Sequence, residues 1–335
     1  MTDSFEAFIL DQEEDGDGLH GSVQTLDPDS VPDADTTLRV LYSSINYKDA
    51  LAVRDAAPII RGDVPIAPGI DLVGRVERST SDRFRTGDLV IGTGWGLGEN
   101  VWGGYTQLAK VDSSKLVPLP EALPAKHAMA IGTAGFTAML SVMALEEHDA
   151  TPGDGEILVT GASGGAGSMA TAILAALDFD VVASTGSEDA HGYLKGLGAS
   201  RIIHRDELSG GPKRPMESGR WAGAIDAVGG DTLATIIAQL KRHASVASFG
   251  NAGGHELNTT VFPFILRGVN LLGIDSNTCP NARRIVAWER MAGILSSDTI
   301  ESMIHSVVQL DRIDEAAQRI LDTGVRGRIV VRVGG

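Results

Sequence analysis

The apolar positions follow two different patterns along the chain, and the change from one to the other falls near Leu123. Before Leu123, short apolar runs are separated by clusters of Gly, Pro and Asp, which is typical of β-strands joined by turns. A short helix is predicted from Tyr47, where the β pattern is interrupted. The strands predicted in this mostly β region are Phe5–Asp11, Thr37–Tyr42, Leu72–Val76, Asp88–Gly92 and Gly104–Val111.

After Leu123, apolar residues recur at helical spacing over Ala125–Gly132 and Gly135–Glu147, and strand-like and helix-like runs then alternate. This alternation predicts an α/β fold with a parallel, doubly wound sheet. The predicted strands are Ile157–Thr160, Val181–Ser184, Arg201–His204, Ala222–Ala227, Ser245–Phe249 and Asn270–Ile274. The predicted helices are Met169–Leu177, His191–Leu197, Thr232–Leu240 and Ala282–Leu295.

The last strand-like run, Gly327–Val333, has left this alternation and is expected to return to the mostly β region. A length of 335 residues also fits two domains. We therefore predict a β-rich domain over residues 1–125, a nucleotide-binding domain over 126–275, and a return to the first domain over 276–335.

A glycine-rich turn joins the first predicted strand of the alternating region to its first helix. Gly161, Gly164 and Gly167 are spaced three apart, which differs from the G-x-G-x-x-G fingerprint. Glycines in this turn would still allow a tight bend, close approach of the backbone to a pyrophosphate, and close packing of helix on strand. The N–H groups at the start of the helix would then bind the phosphates. The alternative is an ordinary glycine-rich loop.

The end of the next strand favours NADP over NAD. In NAD-binding domains an acidic residue about 20 positions after the glycine turn accepts the ribose 2′-OH. In this chain the strand ends Val181-Val-Ala-Ser-Thr-Gly-Ser187, and no acid occurs before Glu188. Hydroxyl and N–H donors suit a 2′-phosphate, which a carboxylate would repel. The nearest cations are Lys195, Arg201 and Arg205.

Composition argues against several classes of function. The net charge of −16 disfavours binding to nucleic acid or to an anionic membrane. We expect a cytoplasmic protein, because no apolar run of about 18 residues and no leader-like N-terminus are visible. We expect no metal site and no zinc-dependent alcohol dehydrogenase mechanism. Cys279 is the one cysteine, and His20, His127 and His148 are the histidines before the glycine turn.

Several segments resemble a known family. Ser43-Ser-Ile-Asn-Tyr-Lys-Asp-Ala50 resembles the S-S-x-N-Y-K-D signature of the medium-chain dehydrogenase/reductase superfamily, in its zinc-free, quinone oxidoreductase-like branch. Within that branch the chain is most similar to the acrylyl-CoA reductase family. The other matching segments are Pro68–Asp71, Gly94–Asn100, Trp102–Gly104, Ile131–Leu140, Val159–Ser168, Trp221–Asp226, Pro263–Arg267 and Gly273–Ser276.

The resemblance implies a GroES-like catalytic domain formed by both chain ends around a Rossmann domain. It also implies NADPH-dependent reduction of the 2,3-double bond of acryloyl-CoA to propanoyl-CoA. A homodimer is implied, formed through the edge of the nucleotide-domain sheet at Val269–Ile274. Tyr47 would lie at the nicotinamide end. The other implied cofactor-binding residues are Ser163, Gly164, Gly165, Ala166, Gly167, Ser184, Thr185, Gly186, Ser187, Arg205, Asn251, Ile265 and Ser276.

One position departs from the family pattern, in which an arginine is common where this chain has Ser187. The departure implies either a weaker preference for NADP or a replacement of that charge by Lys195, Arg201 or Arg205.

Reduction of an enoyl thioester needs a hydride at the β-carbon, a proton at the α-carbon and donors at the enolate oxygen. Asn46 and Tyr47 are the predicted catalytic donors, with Tyr47 or a water that it orders as the proton source. The alternative is that Tyr47 only positions the cofactor. Lys48 and Asp49, which follow at once, are interpreted as a local ion pair.

The substrate contacts are less specified by the sequence. Trp95 and Trp102 either line the pocket or pack in the core. Two other functions stay open, namely a quinone, enone or other enoyl-CoA reductase, and an NADPH-binding protein without turnover. The arginine candidates for the CoA phosphates are Arg54, Arg61, Arg267, Arg283 and Arg284.

Overall fold

The chain forms two compact units, and the first combines segments from both ends of the sequence. The structure is a computed structural model that describes residues 4–13, 16 and 18–334. Unit 1 runs up to Thr133 and also contains Asn277–Gly293 and the segment from Ile300 onward. Unit 2 contains Ala134–Ser276 and Ile294–Thr299. The boundaries predicted from the sequence were residues 125 and 275.

The strands and helices are numbered in chain order. The strands are β1 (Phe5–Gln12), β2 (Leu19–Leu26), β3 (Thr36–Ile45), β4 (Asp71–Ser79), β5 (Leu89–Thr93), β6 (Leu108–Val111), β7 (Leu116–Pro118), β8 (Ile157–Val159), β9 (Val181–Thr185), β10 (Arg201–His204), β11 (Trp221–Asp226), β12 (Leu240–Ser248), β13 (Asn270–Gly273), β14 (Ile304–Val308) and β15 (Arg328–Arg332). The helices are α1 (Tyr47–Val53), α2 (Ala125–Glu146), α3 (Gly165–Ala176), α4 (His191–Gly196), α5 (Gly230–Gln239), α6 (Phe262–Arg267), α7 (Asn281–Ile294), α8 (Ser297–Ser302) and α9 (Ile313–Leu321).

Unit 1 is built on a sheet that joins strands from both ends of the chain. Its strand order is β14-β15-β3-β4-β5-β7, with β6 also pairing with β3, and β1 pairs with β2 in a separate ribbon. β15 lies antiparallel to β3, with Ile329 opposite Ile45. The predicted return of the last strand to the first region is therefore confirmed. The apolar core of this unit includes Leu10, Leu38 and Val331.

Unit 2 contains the predicted parallel sheet. Its strand order is β10-β9-β8-β11-β12-β13, and every neighbouring pair is parallel. β8 lies inside the sheet and all three of its residues are buried, which explains its continuous apolar sequence. The chain order reverses between β8 and β11, and ligands of such sheets bind outside the carboxyl ends of the strands at this point.

Helix α2 is interrupted at Gly132, whose φ of 51° and ψ of −160° are not helical. From the sequence, no stretch long and apolar enough to cross a membrane was expected, and α2 corrects this expectation. By length and composition alone it qualifies, but 94% of its apolar window is buried within the protein. Core helices of folded domains pass the same test, and burial to this extent is what such a helix shows.

Candidate active site

The glycine turn between β8 and α3 leaves room for a phosphate group. A Cβ on Gly167 would lie 2.3 Å from the carbonyl oxygen of Gly161, so only glycine lets α3 begin this close to the turn. Gly164 is the N-cap of α3, and a Cβ on it would meet only the Gly161 oxygen, at 3.3 Å. The first N–H groups of α3, from Gly165 and Ala166 onward, have no partners within the helix. The turn therefore fits a pyrophosphate at a helix N-terminus.

The predicted cofactor residues lie around this turn because most of them follow the ends of neighbouring strands. Carboxyl ends of parallel strands meet at one edge of a sheet, so these residues share the edge at which the chain order reverses. Ile265 is separate from them, on α6 in the connection from β12 to β13, and is 69% exposed. The others are Ser163 after β8, Ser184 and Thr185 in β9, Gly186 and Ser187 after it, Arg205 after β10, Asn251 after β12 and Ser276 after β13.

The loop after β9 combines hydroxyl groups with one cation. Ser163 Oγ lies 3.2 Å from Thr185 Oγ1, and the Ser187 N–H donates to the same Thr185 oxygen at 3.2 Å. The Arg205 side chain lies against Gly186, where an added Cβ would be 2.6 Å from the Arg205 Nε. Donors and a guanidinium at this position fit the 2′-phosphate of NADP.

Of the three cations that the sequence suggested near this loop, Arg205 is the one the structure places against it. Arg201 instead donates to both carboxylate oxygens of Glu156, at 2.8 and 2.7 Å. Lys195 lies exposed on α4.

Asp226, for which the sequence indicated no role, supports the glycine turn from the neighbouring strand. Its carboxylate accepts from Thr160 Oγ1 at 2.7 Å and from the Gly229 N–H at 2.8 Å. Burial raises the pKa of Asp226, and these donors oppose the rise. Asp226 thus ties the end of β8 to the end of β11, where the order of the sheet reverses.

The predicted catalytic pair Asn46–Tyr47 begins helix α1 in unit 1. Tyr47 is the first helical residue and is 56% exposed, whereas Asn46 is the buried N-cap. The amide Nδ2 of Asn46 donates to Asp49 Oδ2 at 3.0 Å and to Asp71 Oδ2 at 2.8 Å. The opposite orientation of this amide would turn its oxygen towards two carboxylates. Both amide hydrogens of Asn46 are therefore used within unit 1, where they fix the turn that presents Tyr47.

Asp71 is the buried group around which this turn is assembled. It accepts from Ser44 Oγ at 2.6 Å and from the Thr133 N–H and Oγ1 at 2.9 and 2.6 Å. Arg328 of β15 lies 3.7 Å from Asp71 and donates to Ser44 Oγ at 2.8 Å. Asp71 thereby joins β3, α1, α2 and β15. The segment Pro68–Asp71 was matched in sequence, but neither Asp71 nor Arg328 was predicted to have a role.

The break in α2 belongs to this network. A Cβ on Gly132 would lie 2.4 Å from Asp71 Oδ2 and 2.8 Å from Arg328 Nη2. Gly132 also has a positive φ, which glycine adopts at little cost. The break directs the Thr133 N–H at Asp71, so that the carboxylate caps the second part of the helix.

The predicted Lys48–Asp49 ion pair is wrong. Asp49 is buried and accepts from the Asn46 N–H and the Ile70 N–H, both at 2.8 Å, while Lys48 pairs with Glu99 at 2.9 Å. Burial and the nearby Asp71 carboxylate raise the pKa of Asp49 to about 7. Successive residues on a helix point about 100° apart, which explains why neighbours in sequence take different partners.

The arginines considered for CoA divide into two groups. Arg284 is fully buried and donates to Thr93 Oγ1 at 2.6 Å, and Arg267 donates to the carbonyl oxygens of Leu240 and Glu217. Arg54 and Arg61 keep exposed side chains while pairing with Asp314 and Glu99, and Arg283 is half-buried. Trp102 is buried in the core of unit 1, and Trp95 is half-buried with its ring 5.6 Å from the Arg284 guanidinium.

Two family models match the chain, and they cover separate segments. A model described as an alcohol dehydrogenase GroES-like domain matches residues 32–121. A model described as a zinc-binding dehydrogenase matches residues 165–292. Among the described residues, no group of three or more His, Cys, Asp or Glu side chains is arranged to hold a metal ion.

Relatives that match nearly the whole chain identify its family more closely than the two family models do. The acrylyl-CoA reductase AcuI of Ruegeria pomeroyi is 50% identical over 329 residues, which is 98% of this chain and 99% of the relative. The yhdH oxidoreductase from Salmonella enterica, crystallised in complex with NADP, has a TM-score of 0.95 and 47% identity, covering 98% of this chain and 100% of that one. A quinone oxidoreductase of Mus musculus is 25% identical over 292 residues, 83% of each chain. The chain belongs to the medium-chain dehydrogenase/reductase family of oxidoreductases, in the quinone oxidoreductase-like group that includes acrylyl-CoA reductases.

Proposed function

We propose that this protein reduces the 2,3-double bond of acryloyl-CoA to give propanoyl-CoA, with NADPH as the hydride donor. The observation that carries the proposal is the buried Asn46–Asp71 network that presents Tyr47. The sequence supports the same conclusion, because the chain is 50% identical, over 98% of its length, to an acrylyl-CoA reductase. The crystallised Salmonella relative contains NADP, and the residues around the glycine turn of unit 2 fit that cofactor.

Bound NADPH supplies a hydride for the β-carbon of the thioester. The N–H groups that begin α3 bind the pyrophosphate, and Thr185, Ser187 and Arg205 bind the 2′-phosphate. Tyr47 donates a hydrogen bond to the thioester oxygen as negative charge develops there, and it or an ordered water supplies the α-proton. Asn46 as a second donor stays a prediction. With both amide hydrogens on carboxylates, its contribution is to hold the first turn of α1 in place.

The finer properties are proposed on separate grounds. We propose metal-independent hydride transfer and a cytoplasmic location, as the sequence predicts. We also propose a homodimer paired through β13, the terminal strand of the unit 2 sheet. Exposed apolar residues on β13 and on α6, the helix that precedes it, support pairing there, and a monomer mass in light scattering would contradict it. These residues are Leu271 on β13 and Val261, Phe262, Ile265 and Leu266 at α6.

The test is NADPH oxidation by the full chain with acryloyl-CoA, crotonyl-CoA and a quinone as separate acceptors. We expect acryloyl-CoA to be reduced fastest and propanoyl-CoA to be the product. Faster turnover of the quinone would instead favour the second candidate, which the Mus musculus relative represents. No oxidation with any acceptor would favour a binding protein without turnover. Tyr47→Phe should lower kcat about a hundredfold or more, since general acid catalysis contributes about 10²–10⁴-fold. A loss of NADPH affinity alone would limit Tyr47 to binding.

A further inference from the structure

Two cationic side chains share one buried carboxylate, and one of them belongs to Lys48, the residue after Tyr47. Lys48 Nζ lies 2.9 Å from Glu99 Oε1, and the Arg61 guanidinium pairs with Glu99 Oε2. The Glu99 side chain is only 5% exposed, whereas those of Lys48 and Arg61 are 41% and 58% exposed. The three groups together carry one positive charge, and both cations have surface open to solvent.

The backbone holds this cluster in a defined geometry. The Arg61 and Gly62 N–H groups both donate to the Glu99 carbonyl oxygen, at 2.8 and 3.0 Å. A Cβ on Gly62 would lie 2.8 Å from the Asn100 Cα, so the two segments approach as closely as glycine permits. Lys48 is fixed from the other side, because it is the second residue of α1. A ligand would therefore meet two cations that are already ordered, which lowers the entropic cost of binding.

Helix stability does not explain the cluster. A cation in the first turn of α1 is disfavoured by the helix dipole, so this position lowers rather than raises the stability of the helix. Lys48 nevertheless occupies that turn, next to the predicted proton donor Tyr47.

The cluster also differs from the other basic residues considered for CoA. Arg267 and Arg284 donate to groups inside the protein, and Arg54 is neutralised one-to-one by Asp314. In a chain with a net charge of −16, a polyanionic ligand needs a local excess of positive charge. Lys48 and Arg61 supply such an excess, and Lys48 directly follows Tyr47 in α1.

We propose that Lys48 and Arg61, held by Glu99, bind a phosphate group of the CoA portion of the substrate. The proposal rests on the proposed function, because it takes acryloyl-CoA as the substrate that Tyr47 acts on. Arginine can bind two phosphate oxygens at once, and lysine adds a compact point charge. The cluster thereby selects the carrier, while Tyr47 acts on the thioester.

The experiment measures the affinity of the NADPH-loaded protein for CoA by calorimetry, in wild type, Arg61→Gln and Lys48→Gln. The matched control is Arg39→Gln, which removes an arginine of unit 1 that also pairs with a glutamate, Glu77. We expect each cluster variant to weaken CoA binding about five- to tenfold, the range for a charged contact that is partly exposed. The control should change it less than twofold. Titration with dephospho-CoA, which lacks the 3′-phosphate, shows which phosphate of CoA the cluster binds. If the cluster variants also bind dephospho-CoA more weakly than wild type, the cluster binds the pyrophosphate. If they bind dephospho-CoA as well as wild type does, the cluster binds the 3′-phosphate.

A second measurement separates phosphate binding from a general loosening of α1. Acryloyl-pantetheine carries the same thioester without the phosphates, so its KM should be the same in Arg61→Gln as in wild type. An equal rise of KM for acryloyl-pantetheine, a weaker affinity for NADPH, or unchanged CoA binding would each overturn the proposal. The CoA titration does not depend on turnover. Selective loss of CoA binding in a protein that fails to reduce acryloyl-CoA would retain the subsite and refute the proposed function.

Discussion

Neutralising Asp71 should destabilise unit 1 through the charge that it leaves on Arg328. The two side chains are 0% and 3% exposed, and their closest charged atoms lie 3.7 Å apart. At an effective dielectric constant of about 20, this separation corresponds to roughly 4 kcal/mol of attraction. Removing one partner of a buried pair costs about 3–5 kcal/mol because the other charge stays buried. We therefore expect Asp71→Asn to lower the free energy of unfolding by this amount.

The assay is a double-mutant cycle with Asp71→Asn, Arg328→Gln and the double variant, followed by urea unfolding. Trp221→Phe as the background removes the tryptophan of unit 2, so that fluorescence reports on Trp95, Trp102 and Trp288 of unit 1. The double variant should be less destabilised than the sum of the single ones, with a coupling energy of about 2–3 kcal/mol.

The exposed pair Arg39–Glu77 provides the control for this cycle. Its side chains are 36% and 32% exposed, and such pairs couple by about 1 kcal/mol or less. If the coupling between Asp71 and Arg328 is no larger than in this control, burial does not strengthen the pair and the reasoning is wrong. Asp71→Asn should also lower kcat while leaving the NADPH affinity unchanged, because the Asn46–Tyr47 turn loses an anchor.

Three further predictions concern the buried acid and the cofactor site. The pKa of Asp49 is raised from 3.8 to about 7 in the folded state, so the folded protein binds this proton more tightly than the unfolded chain does. The resulting stabilisation of the fold is complete below pH 3.8 and is lost as the pH rises to about 7. The loss is at most about 4 kcal/mol, and Asp49→Asn should flatten the dependence of the urea midpoint on pH across this window; an unchanged slope contradicts it. Gly164→Ala should lower the thermal unfolding temperature only slightly, because its Cβ meets one backbone oxygen, at 3.3 Å, but it should weaken NADPH binding at least about tenfold, since the Cβ enters the phosphate space. Gly192→Ala, whose Cβ meets nothing within 4 Å, should affect neither. Arg205→Gln should reduce the ratio of kcat/KM for NADPH over NADH about tenfold, and Arg201→Gln, whose arginine is held by Glu156, should not; equal effects would remove Arg205 from the site.

The parallel sheet could be predicted because its inner strands are buried on both faces. β8 and β9 are short runs of apolar and small residues, with a glycine one or two positions after each strand, a pattern that local sequence shows directly. β2 was missed because none of its residues is fully buried, so its sequence, Leu19-His-Gly-Ser-Val-Gln-Thr-Leu26, carries almost no apolar periodicity. β7, α6, α8, β14 and α9 were missed as well.

The residues of the candidate site also divide into those that local sequence predicts and those that it does not. The cofactor residues follow strand ends and could be located from the strands that precede them. The network under Tyr47 could not, because Asp71 and Arg328 are far apart in sequence and no local pattern records their contact. Asp49 was paired with its neighbour Lys48 because charge alternation in a sequence does not show which side chain is buried.

The position of Arg328 in the chain has a consequence for the order in which the protein can mature. A ribosome synthesises Asn46, Tyr47 and Asp71 early, but the arginine that balances Asp71 emerges only after all of Ala134–Ser276 has been made. Until Arg328 has been made, Asp71 lacks this partner, whereas every residue of unit 2 has already been synthesised. Loss of the strand Arg328–Arg332 by proteolysis or an early stop codon would abolish catalysis, although the missing strand lies far from Tyr47 in the sequence. All residues of unit 2 would still be present.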